Sequence, residues 1–183
     1  MQGCHWKCRR AHPWLACALL LALPWGWAAA TDVAARTGPA IIGMQVQGSG
    51  RLEHGQRVPL PRVLQALGTP SQREPSPYEC GSAYDEGDIQ LLDWAGQAWE
   101  SDGRTAVLRR FDVGREGALL LANGTQIGAR TSPVDVLQRV PRAHRSGDTV
   151  HVTPDPHGLT EERYDLRFDG EGRLFQIDYW IAC

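Results

Sequence analysis

Lysine is all but missing from this chain. Lys7 is the single example, and every later cationic side chain of fixed charge is an arginine. Arginine-only usage is what a GC-rich genome yields, and it points to a high-GC Gram-negative bacterium as the source. Nor is there an excess of positive charge. Three of the 19 Lys and Arg residues precede Ala30 and all 21 acidic residues follow it, which leaves the remainder at a net charge of −5 (16 arginines against 21 carboxylates). That balance argues against nucleic acid, where a basic footprint is expected, and it supplies no basic helix for an anionic membrane surface. Long apolar runs are also absent. Leu15 to Leu23 is the longest, well short of the roughly 20 residues that a membrane span needs. Past Ala30 there is no Cys-x-x-Cys, so redox chemistry of that type has no carrier.

What the N-terminal region does contain is an export signal. Lys7, Arg9 and Arg10 form a positive segment, Leu15 to Leu23 an apolar one, and Ala28-Ala29-Ala30 the small residues that a signal peptidase accepts. Residues 1–30 are therefore expected to be removed, leaving no stable membrane anchor and a periplasmic or secreted protein. Cys17 follows a small residue, but the apolar stretch lies mainly after it, which argues against a lipid-modified cysteine. Cys4 and Cys8, with His5 and His12 nearby, suggest metal chemistry but belong to the discarded segment. Cys80 and Cys183 remain. In an oxidising compartment they are expected to form one disulfide. Closing a loop of roughly 100 residues in this way contributes about 4–5 kcal/mol in the chain-entropy view.

The rest of the chain reads as alternating strands and helices. After a linker at 31–40, Ile41 to Val46 predicts a strand. Leu60, Val63, Leu64 and Leu67 share one face of a helix over Pro59 to Leu67, stopped by Gly68 and Pro70. Ser71 to Tyr78, with Pro75 and Pro77, reads as a loop. Strands are predicted at Ile89 to Trp94 and Thr105 to Val113, with Asp102-Gly103 as a turn between them, and a hairpin about Asn123-Gly124. The Asn123-Gly124-Thr125 glycosylation pattern is explained by that hairpin. Ser132-Pro133 with Asp135 predicts a capped second helix ending at Pro141. Val150 to Val152, Tyr164 to Phe168 and Leu174 to Cys183 complete the strands. In the last of these, Phe175, Ile177, Tyr179, Ile181 and Cys183 are expected on one face and Trp180 on the other.

Val63-Leu64-Gln65 recurs as Val136-Leu137-Gln138, and Gly103-Arg104 as Gly172-Arg173, both about 70 residues later. The expected fold is accordingly α+β: two similar helix-plus-antiparallel-sheet units at 41–113 and 114–183, joined by one inter-unit disulfide. The segments Pro61 to Pro70 and Ser132 to Val140, each followed by strands, make the chain resemble small exported proteins of the β-lactamase-inhibitor-like and BamE-like tandem-repeat groups. The resemblance is architectural. It carries over no functional residue, and it implies protein binding through a sheet face. Two departures accompany it, the absence of a lipobox and the absence of a disulfide within each unit.

Candidate chemistry is sparse. His151, Asp155 and His157 form a histidine cluster able in principle to take zinc or copper, but its spacing matches no metal motif and prolines interrupt it. Asp85, Glu86 and Asp88, and Glu161 and Glu162 beside Arg163, read as surface charge. Ser82 does not sit in a Gly-x-Ser-x-Gly elbow. The aromatic and cationic residues Trp94, Trp99, Arg109, Arg110, Tyr179 and Trp180 are candidates for a contact surface, because Trp, Tyr and Arg most often anchor interfaces. No catalytic motif and no cofactor signature is present. These features predict an exported, noncatalytic protein that binds another protein, as inhibitor, immunity factor or envelope-assembly accessory. An envelope hydrolase and a small-molecule or metal-binding module are the alternatives.

Overall fold

The computed structural model describes residues 40–78 and 80–183. The expected export signal, its cysteines and histidines, and all of the linker but Ala40 lie outside the described residues. Strands occupy 43% of the described residues and helices 10%. The fold is mostly β, in two antiparallel sheets, and not the expected α+β pair of helix-plus-sheet units.

The smaller sheet has the order β2-β1-β8-β9, built from β1 (Ile41–Val46), β2 (Gly50–Glu53), β8 (Ala118–Leu121) and β9 (Gln126–Gly128). It joins the first two strands of the expected first unit to two strands of the second. The larger sheet mixes the halves as well. Its order is β10-β11-β12-β13-β7-β6-β5-β4, from β4 (Gln72–Pro75), β5 (Gln90–Trp94), β6 (Gln97–Ser101), β7 (Thr105–Asp112), β10 (His144–Ser146), β11 (Thr149–Val152), β12 (Arg163–Phe168) and β13 (Leu174–Trp180). The central ladder, β7 against β13, crosses the expected unit boundary. Short β3 (Val58–Pro59) pairs with the start of β7. Segment 72–75 was expected in a loop because of Pro75. It forms an edge strand, where a missing N–H costs no ladder bond.

Both helices form where the apolar spacing places them. In α1 (Leu60–Leu67) Val63 is buried, while Leu60, Leu64 and Leu67 lie partly buried against the core. The C-terminal stop is Gly68 at φ 77°, whose N–H reaches the Leu64 carbonyl. α2 (Pro133–Arg139) opens with a full capping box. The Ser132 hydroxyl accepts from the Asp135 N–H, and the Asp135 carboxylate accepts from the Ser132 N–H.

One hydrophobic core runs through the molecule, from Ile41, Met44 and Leu119 in the small sheet to Trp99, Phe111, Leu166 and Ile177 in the large one. Two bulges break the period-two pattern of the large sheet. Trp99 faces Leu108 while Ala98 faces Arg110, so Arg109 is an extra residue on β7. Phe168 faces Leu174 while Arg167 faces Gln176, so Phe175 is an extra residue on β13. Each bulge re-aims a side chain. Phe175, expected on the core face of the last strand, is 46% exposed for this reason.

Cys80 and Cys183 are paired with a Cα–Cα distance of 4.9 Å, within the range that a disulfide spans.

Candidate functional site

The bulge at Arg109 organises the most unusual cluster in the protein. Glu100 and Arg109 are both fully buried, with the Arg109 Nη1 atom 3.5 Å from Glu100 Oε2. A buried carboxylate must be satisfied from several directions, and a loop supplies the partners. Glu100 Oε1 accepts from the Ser76 and Ser82 hydroxyls at 2.7 and 2.9 Å, and Oε2 accepts from the Ala83 N–H at 2.9 Å. Arg109 donates from Nη2 to the Gly81 carbonyl at 3.2 Å and lies 3.9 Å from the centre of the Tyr78 ring. Loop 76–84 is thus wrapped around one charge pair. Gly81 is required there: its φ is 83°, and a Cβ would strike the Ile181 carbonyl.

A second network adjoins the first. β7 is paired by β3 at residues 105 and 106 and by β13 at 110–112, and between these ladders opens a cavity of about 270 Å³. His54, Arg57, Glu162, Tyr179, Val107 and Ile181 are among its lining residues. The His54 Nδ1 atom lies 2.7 Å from the Tyr164 hydroxyl, and Nε2 lies 2.7 Å from Glu162 Oε2. Burial pushes the Tyr164 hydroxyl well above its ordinary range, and the neighbouring Tyr179 and Glu162 add to this. Tyr179 is raised by burial and then by the Glu162 charge, with Arg109 opposing. Both phenols keep their protons. One tautomer then satisfies every partner: Tyr164 donates to Nδ1, and the Nε2–H of His54 donates to Glu162. The imidazole has no free nitrogen, and no serine, threonine or cysteine is among the residues lining the cavity. His54 thereby links the β2–β3 turn to β12.

A polar row crosses the outer face of the large sheet; Glu100, two residues from Ala98 on β6, shares this face beneath loop 76–84. His144, His151, Asp165, Asp178, Arg110, Ala98 and Asp93 occupy successive positions straight across seven strands, from β10 to β5. At the usual strand spacing this row is about 30 Å long. Ion pairs bind it together: Arg110 to Asp93 at 2.6 Å, Arg163 to Asp165 at 2.9 Å, and Arg167 to Asp178 at 2.8 Å. Burial raises the Asp178 carboxyl, while Arg167 and Arg110 pull it back. Arg163 also stacks over Trp180, 4.2 Å from the ring centre.

The residues singled out from the sequence are thus scattered. Trp94 and Trp99 are core residues, their indole N–H groups satisfied by the Gly68 carbonyl and by Gln97 Oε1. Arg109 is enclosed with Glu100, and Tyr179 lines the open pocket beside His54. Of the six contact candidates, Arg110 and Trp180 reach the outer face. The trio His151, Asp155 and His157 is not assembled. His151 pairs with Asp165, Asp155 accepts from the backbone N–H groups of His157 and Leu159, and the exposed His157 points elsewhere. Among the described residues, no group of three or more His, Cys, Asp or Glu side chains gathers to hold a metal ion. Sequence reasoning missed His54, Glu100 and Glu162. Their partners lie 17 to 110 residues away along the chain, and no local pattern announces them. Glu162, expected as surface charge beside Glu161, turns inward to His54.

No family model matches the chain, and no curated protein or solved structure is significantly similar to it.

Proposed function

We propose that this is an exported, noncatalytic protein of the periplasm that binds another protein through the outer face of its large sheet. The observation that carries the reading is the polar row across seven strands, with Arg110 near its centre and Trp180 beside it. Its length of about 30 Å suits a partner footprint of the standard size, about 800 Å² a side. Trp and Arg are the side chains that most often dominate such contacts. The other groups with chemical potential are already committed to one another: His54 to Tyr164 and Glu162, and Glu100 to Arg109 and loop 76–84. That supports a structural role for them. An inhibitor, an immunity factor and an envelope-assembly accessory all fall within this reading.

The test is a pull-down from periplasmic extract with the wild-type chain and an Arg110→Ala/Trp180→Ala variant of matched melting temperature. The expected result is a stoichiometric partner held by the wild type and lost by the variant. Equal retention by both would place binding on another surface, and the absence of any partner from the extract would count against the function itself.

A further inference from the structure

His144 and His151 stand directly opposite each other in the β10–β11 ladder, with ring centres 4.9 Å apart and planes inclined by 34°. β10 is the outermost strand of the large sheet, and all three of its residues are exposed. The two imidazoles therefore meet at an open sheet edge, within reach of solvent. The neighbouring strand sets their chemistry. Asp165, opposite His151 in the β11–β12 ladder, has its Oδ1 atom 2.6 Å from His151 Nδ1. The Arg163 Nε–H donates to the same oxygen at 2.9 Å, which fixes the carboxylate from a second direction. A carboxylate that takes the Nδ1 proton of a histidine leaves the Nε2 lone pair free and orients the ring, the arrangement found behind most metal-ligating histidines.

We infer that His144 and His151 form a two-histidine site for a borderline divalent transition-metal ion, with Asp165 as its positioning residue. Two imidazole ligands suit copper, nickel or zinc, and the affinity order among divalent ions places copper(II) first. Two protein ligands leave coordination positions for water or for a donor from another molecule. The site differs from the trio weighed in the sequence as an alternative: it keeps His151, drops Asp155 and His157, and recruits His144 and Asp165 through strand pairing. It shares His144, His151 and Asp165 with the polar row but needs neither Arg110 nor Trp180, so the copper titration and the pull-down fail separately.

Titration of the chain with aqueous Cu²⁺, followed by paramagnetic broadening of assigned imidazole and amide signals, tests the site. A site-resolved signal also separates this pair from His5 and His12. Broadening should centre on His144, His151 and the adjoining β10 and β11 amides, saturating at one ion per chain there. His144→Ala and His151→Ala should each abolish it, and His157→Ala should leave it unchanged. Asp165→Asn should weaken binding by about 10- to 100-fold, the usual effect of losing an orienting carboxylate. Broadening centred on His157, or broadening at β10 and β11 that survives His144→Ala, would overturn the proposal. So would the absence of any effect at β10 and β11. Undiminished affinity in Asp165→Asn would remove Asp165 from it.

Discussion

Replacing Glu100 with alanine should destabilise the protein by about 3–5 kcal/mol, the usual consequence of stripping one partner from a buried charge pair. The size of the effect follows from what is left behind. Arg109 stays enclosed with its Nε and Nη1 atoms already without a hydrogen-bond acceptor, and it would lose the only carboxylate beside it. Three further donors, the Ser76 and Ser82 hydroxyls and the Ala83 N–H, would lose their acceptor together. Replacing Arg109 with methionine as well should recover only part of the loss. The cationic orphan is then gone, but loop 76–84 still has nothing to wrap around. Urea denaturation of the two variants reads both effects, and hydrogen exchange at Ala83 should accelerate in each. A loss below about 1 kcal/mol for Glu100→Ala, the scale of an ordinary hydrogen bond, would show that the pair is not the anchor of the loop.

Cys183→Ser should cost about 4–5 kcal/mol, by a different route. The bond spans 103 residues, so its loss mainly enlarges the unfolded ensemble. The native loop remains pinned by Glu100, Arg109 and the contact of Gly81 with Ile181. The expected signature is a lower urea midpoint and a steeper denaturant dependence, with Ala83 still protected from exchange under native conditions. Glu100→Ala should show the reverse pattern, with early local exchange and little change in slope. Nonreducing peptide mapping should recover Cys80 joined to Cys183. Two free thiols in exported protein, or a stability unchanged by Cys183→Ser, would remove the bond from this account.

The contrast between those two residues shows what the sequence made legible. The cysteine pair could be read from compartment and count. The helices could be read from the spacing of Leu60, Val63, Leu64 and Leu67 and from the Ser132–Asp135 cap, since both signals are local. Strands such as Arg163–Phe168 and Leu174–Trp180 could be read from alternation, while Gly50–Glu53, Gln72–Pro75 and His144–Ser146 could not. Nor could strand partners: nothing near Ile41 to Val46 says that it pairs with Ala118–Leu121 across the middle of the chain. That is why two side-by-side units were expected where two shared sheets form. Bulges were equally invisible, because one extra residue reverses the alternation beyond it. Phe175, read by simple parity, landed on the wrong side, and Arg109, read as a contact candidate, is buried. Glu100 sits in a fully buried strand, and its meaning depends on three loop donors 17 to 24 residues earlier in the chain. The polar row across the outer face is a product of register. His151, Asp165, Asp178 and Arg110 are remote in sequence and adjacent only once four strands align.

That row carries the functional reading, and site-specific photocrosslinking in the exporting cells tests it most directly. A photoreactive phenylalanine analogue would be placed at Arg167, exposed beside Asp178 on the outer face, and separately at Arg51, exposed on the small sheet. A discrete protein adduct from position 167 and none from position 51 is the predicted result. An adduct from position 51 alone, or none from either, would contradict the assignment of the outer face as the binding surface.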